Sequence, residues 1–91
     1  MDLSNRFAIK PNAMARQLGE ETVILDLESG TYFGLDPVGA RIWQLMKEGK
    51  SLAEICDVML DEYEVSREKL ERDALALAQD LEARSLISTE S

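Results

Sequence analysis

The 91-residue chain contains no histidine. That removes the commonest general base and the commonest transition-metal ligand together. It has one cysteine, Cys56. A lone thiol cannot close an internal disulfide or build a zinc site, and without a histidine it has no partner for a protease-type dyad. The five glycines are scattered at turns, so there is no Walker sequence and no glycine-rich phosphate loop. No apolar run approaches the ~18 residues a transmembrane helix needs. The N-terminal stretch MDLSNRFAIKPNAM has neither the basic flank nor the apolar centre of a signal peptide. A cytoplasmic protein away from membranes is expected. Asp57 and Asp61, four apart, read as a solvated helix face rather than as a catalytic pair. No catalytic residue, metal ligand or cofactor is assigned, and the chain is not expected to be an enzyme.

Positive charge is also scarce. Ten bases stand against 18 acids, for a net charge of −8. Residues 1–50 carry seven acids and six bases, and residues 51–91 carry eleven and four. Nucleic-acid binding rests on Lys and Arg releasing counterions from phosphates, so this balance argues against it. The length fits one domain that buries roughly 60–65% of its unfolded surface, enough for one modest core.

What is present is concentrated in residues 22–46, TVILDLESGTYFGLDPVGARIWQLM. Val23, Leu25 and Leu27 alternate with Thr22, Ile24 and Asp26, which predicts a strand whose first set is buried. Glu28, Ser29 and Gly30 supply a turn. Tyr32, Phe33 and Leu35 predict a second, short strand. Asp36 and Pro37 suit the N-cap and first position of a helix over about 37–47, with Ile42, Trp43, Leu45 and Met46 as its apolar face. Because the second strand is short and aromatic, it is a candidate sheet edge, a place to bind another chain. One of Tyr32 and Phe33 points inward by alternation, and the other is available for contact.

The flanks are simpler. Residues 1–11 read as a loose arm, with a weak strand at Met14, Arg16 and Leu18. Gly49 breaks the first helix. Ser51 and Glu54 form a capping box for a second helix, with Leu52, Ile55, Cys56, Met59 and Tyr63 toward the core. Cys56 on that face is expected to be a buried, inert thiol. Ser66 caps a third helix running to about Arg84. On it Leu70, Ala74, Leu77 and Leu81 form one stripe, widened by Leu75 and Ala78. Ser85–Ser88 reads as a docked apolar exit. Strands first and helices after predict an α+β domain with helices packed on a sheet. A wide arc on the third helix touches both the core and a groove beside the sheet edge. Three classes stay open: a binding module, a DNA-binding regulator and a structural subunit. Arg67, Lys69 and Arg72 offer bases for a DNA groove, but Glu68, Glu71 and Asp73 are interleaved with them.

VILDLESGTYFGLDPVGARIWQLMKEGKSLAEI, followed by VSREKLERDALALAQDLEARSLI, resembles the PqqD-like family over about residues 12–88. The resemblance rests on the hairpin with Gly30, the Tyr32-Phe33 pair, Leu35-Asp36, Gly39 with Ile42-Trp43, the Gly49 break, Asp73 and the terminal Leu86-Ile87. It implies a winged-helix-like fold, a three-stranded antiparallel sheet packed against three helices. It also implies a recognition element for leader peptides of ribosomally made, modified peptides, most similar to the free-standing protein of lasso-peptide pathways. The leader then adds as an antiparallel strand on the last strand of the sheet, beside the third helix. Here that means Gly30, Thr31, Tyr32, Phe33, Gly34 and Leu35 on one side, and Leu70, Asp73, Ala74 and Leu77 on the other. The implied partners are the precursor leader, a leader peptidase and a macrocyclase. A monomer is expected, with an edge-paired dimer as the other state. A winged-helix DNA-binding transcriptional regulator is the alternative function.

Overall fold

The elements follow in the order β1 (Arg6–Ile9), β2 (Ala13–Leu18), β3 (Glu21–Asp26), β4 (Tyr32–Leu35), α1 (Pro37–Lys47), α2 (Leu52–Leu60), α3 (Arg67–Ala83) and β5 (Ile87–Glu90). The computed structural model describes residues 1–90. Each helix starts where its local chemistry dictates. The Asp36 carboxylate accepts from the Gly39 N–H at 2.7 Å, and Pro37 opens α1. The Ser51 hydroxyl accepts from the Glu54 N–H at 3.2 Å while the Glu54 carboxylate accepts from the Ser51 N–H at 2.9 Å. The Ser66 hydroxyl accepts from the Lys69 N–H at 3.2 Å at the start of α3.

Strands β2, β3 and β4 form an antiparallel sheet in that order, so β4 is an edge. The three helices pack on it around one core. Ile24 and Leu35 meet Ile42, Trp43 and Met46 of α1, Leu52, Ile55 and Met59 of α2, and Leu70, Ala74 and Leu81 of α3. Trp43 is buried as its helical spacing predicts, although its indole N–H has no hydrogen-bond partner among the described residues. Cys56 is fully buried, and burial raises its thiol pKa, which keeps it protonated and unreactive. Among the described residues no helix is long and apolar enough to cross a membrane.

Two sequence expectations are corrected. Part of the expected loose arm is a strand: β1 pairs antiparallel with β5, matching Phe7 with Thr89 and Ile9 with Ile87. Phe7 is only 4% exposed and belongs to the core. The segment is tied to α2 as well, through the Ala53 N–H donating to the Leu3 carbonyl at 2.8 Å and Arg6 bridging Glu54 at 2.7 Å. Burial of an aromatic ring drives this ordering.

The phase of β3 also departs from expectation: Val23 is buried as its alternation predicts, but Ile24 of the opposite set is buried more deeply and Leu25 only partly. Ile24 is fully buried, whereas Leu27 is 58% exposed and lies past the strand. Ile24 pairs with Phe33 and Thr22 with Leu35, so those four residues share the helix-facing side. Leu25 pairs with Met14 and Tyr32 on the outer face. A one-residue shift in phase turns every side chain over, and both sets of β3 contain aliphatic residues.

Candidate functional site

The β3–β4 turn fixes the edge. The Asp26 carboxylate accepts from the Asn12 amide at 3.0 Å, the Ser29 hydroxyl at 2.9 Å and the Glu28 N–H at 3.0 Å. These bonds, Asn12's first, hold the Asp26 carboxyl below the usual carboxylate range. Gly30 closes the turn at φ +75°, a conformation that favours glycine, and its N–H donates to the Asp26 carbonyl at 2.9 Å.

The Asp26 N–H then donates to the Thr31 carbonyl at 2.8 Å. Hydrogen bonding alternates along an antiparallel ladder, so Phe33 and Leu35 bond inward to Ile24 and Thr22. Tyr32 and Gly34 therefore turn their N–H and C=O groups to the open edge. That edge offers a main-chain template about four residues long.

A groove of about 340 Å³ lies beside it. One wall is Phe33, Gly34 and Leu35, and the other is Leu70, Asp73 and Leu77 of α3. Gly39, Ile42 and Met59 contribute from α1 and α2, and Tyr63, Val65 and Lys69 from the α2–α3 crossover and the first turn of α3. Gly39 keeps the α1 side open: a Cβ there would sit 3.3 Å from Leu35 Cδ2 and 3.3 Å from Asp36 Oδ1. Charged groups stand in the groove and beside it. Lys69 pairs with Asp73 at 2.7 Å, and Arg84, at the end of α3, lies over the Phe33 ring with 4.6 Å to its centroid.

Six of the ten residues expected at the site line this groove: Phe33, Gly34, Leu35, Leu70, Asp73 and Leu77. The other four do not. Ala74 is fully buried in the core, one helical step away from Asp73. Gly30 and Thr31 belong to the turn, and Tyr32 is 70% exposed on the outer face, presenting only its main chain to the edge. Of the Tyr32–Phe33 pair, Phe33 is thus the one at the groove. Asp36, Val38, Gly39, Ile42, Met59, Tyr63, Val65 and Lys69 also line it and were not among the ten. Val65 is 41% exposed, and the signal in the sequence was a lone apolar residue in the polar crossover between Glu64 and Ser66.

A second, wider cleft of about 590 Å³ separates the β2–β3 hairpin from α1 and is lined by Arg16, Gln17, Glu20, Arg41 and Lys47 among others. It lies away from the open β4 edge and is the more polar of the two. Two of the three cations expected on α3 for a DNA groove are engaged, Arg67 with Asp57 at 2.6 Å and Glu71 at 2.8 Å, and Lys69 with Asp73, while Arg72 forms no ion pair among the described residues.

Comparison with known proteins places this geometry. A search of curated proteins finds no match. Among solved structures, TbiB1 in complex with the TbiA(beta) leader peptide is 41% identical, with a TM-score of 0.80 over 88% of this chain and 93% of that one. A lasso peptide synthetase B1 complexed with the leader peptide is 32% identical, with a TM-score of 0.84 over 91% of this chain and 98% of that one. The family model of coenzyme PQQ synthesis protein D (PqqD) matches residues 21–87, which span β3 through the first residue of β5 and so include both walls of the groove. On that match and those two structures, the chain belongs to the PqqD family.

Proposed function

We propose that this protein is a non-catalytic adaptor that binds the leader of a ribosomally made precursor peptide. The leader adds as an antiparallel strand on β4, with its side chains in the groove against α3, and is presented to a leader peptidase and a macrocyclase of a lasso-type pathway. The observation that carries this reading is the open β4 edge with an apolar groove beside it, in a chain similar to two proteins solved with leader peptides. It works as a cytoplasmic monomer and contributes effective concentration and register rather than chemistry.

The energetics fit a moderate affinity. Four or five main-chain hydrogen bonds at about 1 kcal/mol net each do not suffice alone, because ordering a flexible leader costs roughly 2–5 kcal/mol. Apolar anchors in the groove decide the outcome, at about 25 cal/mol per Å² buried. A Kd between roughly 10 nM and 10 μM follows, or about −11 to −7 kcal/mol. The test is titration of the protein into a fluorescent leader of the precursor encoded beside its gene. Saturable binding supports the adaptor. Steeply salt-dependent binding to duplex DNA instead supports the regulator.

A further inference from the structure

We propose that Arg84 is a specificity-determining residue of the groove, taking a carboxylate side chain of the bound peptide at the end where that peptide leaves the sheet. This rests on the reading of β4 as a guest-strand edge. A guest running antiparallel to β4 has its N-terminal part beside Leu35 and its C-terminal part beside Tyr32. The groove's polar groups then come in a fixed order. Asp36, Lys69 and Asp73 line the groove itself, and Arg84, stacked on Phe33, borders the adjoining small hollow with Thr31 and Tyr32, on the side where the guest leaves.

Arg84 is the cation of this site that the fold does not pair. On α3, Arg67 and Glu71 form an i,i+4 ion pair at 2.8 Å, and Lys69 and Asp73 another at 2.7 Å. Asp80 stands four residues before Arg84, yet the two do not pair. Among the described residues Arg84 has no carboxylate partner within 4.0 Å and its side chain donates no hydrogen bond. It lies instead over the Phe33 ring at 4.6 Å. The acid that borders the same small hollow, Asp26, has its carboxylate engaged by Asn12, Ser29 and Glu28. Stacking holds a guanidinium plane in place while leaving its N–H edge available, and that edge matches a carboxylate in two-point contact. A cation at a helix C-terminus also complements the helix dipole. That purely local role predicts an effect on stability but none on which peptides bind.

The two roles separate in a double-mutant cycle. The probe is the fluorescent leader encoded beside the gene, together with variants in which each Asp or Glu is changed in turn to its amide. Arg84→Gln is expected to weaken the unmodified leader about 3- to 10-fold at low salt, and Arg84→Lys less. For one amide variant, altered near the C-terminal end of the bound segment, Arg84→Gln should cause no further loss. The difference should shrink as salt is raised. Equal affinity of wild type and Arg84→Gln overturns the proposal. So does a loss that is the same for every amide variant, or a leader with no carboxylate in that region. Thermal melting of Arg84→Gln measures the stability effect separately. If the unmodified leader does not bind wild-type protein at all, the adaptor reading fails and this inference fails with it. If the leader binds without regard to Arg84, only this inference fails.

Discussion

The Asp26 N–H donates to the Thr31 carbonyl at 2.8 Å, and that bond settles which residues of β4 face outward. Phe33 bonds to β3, and Gly34 points its N–H to the open edge. Proline removes a ladder donor, so its effect depends on where the lost donor pointed. Gly34→Pro is expected to abolish leader binding, measured by fluorescence anisotropy, while circular dichroism shows an intact fold. Phe33→Pro deletes a bond inside the sheet and should lower the melting temperature sharply. Two variants that melt alike and bind alike would contradict this assignment.

The groove and the core divide α3 between them. Leu77 is half-buried and lines the groove, whereas Leu81 is fully buried beneath it. Leu77→Ala should weaken leader binding about 10-fold and cost about 1 kcal/mol of stability or less. Leu81→Ala should cost about 2–5 kcal/mol through the cavity it leaves. Paired melting and binding curves measure both effects.

Phe7 tests the strand found in place of a loose arm. Its ring is in the core, and Phe7→Ala should destabilise the protein by about 3–5 kcal/mol in urea unfolding. A change below about 0.5 kcal/mol, typical of an exposed arm, would show that β1 does not contribute.

Four carboxyls are held below their ordinary range: Asp2 chiefly by the Ser4 hydroxyl, Asp26 chiefly by Asn12, Glu54 chiefly by the Ser51 N–H, and Glu62 chiefly by Arg41. A lowered folded-state pKa means that the unfolded chain binds protons first as pH falls. The stabilisation is therefore fully present above the unfolded carboxylate values of about 4 and is lost as pH falls through the lower folded-state values. Melting temperature should hold steady from about pH 7 to 5 and fall below about pH 4. Asp26→Asn should flatten part of that fall. Asp2, Glu54 and Glu62 are solvent-exposed and Asp26 is only partly buried, so each contribution is small.

Helix starts were legible because capping is local. Ser51 and Glu54 stand three apart in the sequence and bond as that spacing requires. The β1–β5 pair was not, because Ile9 meets Ile87 across nearly the whole chain and neither strand carries a turn signal toward the other. The phase of β3 stayed ambiguous because Val23 and Leu25 on one face rival Ile24 on the other. It is decided by pairing with Phe33 and Leu35, which residue periodicity does not report. The site was legible where it lies on one strand and one stripe. It was missed where the chain crosses over, at Tyr63, Val65 and Lys69, and where a 100° step along α3 separates Asp73 at the groove from Ala74 in the core.

The most direct measurement is an anisotropy titration of the purified protein against the labelled leader of the neighbouring precursor, repeated with Gly34→Pro. Saturable binding with a Kd between roughly 10 nM and 10 μM, lost in the variant, is the expected result. No saturable binding up to ~100 μM, or equal binding by both proteins, would contradict leader capture on the β4 edge.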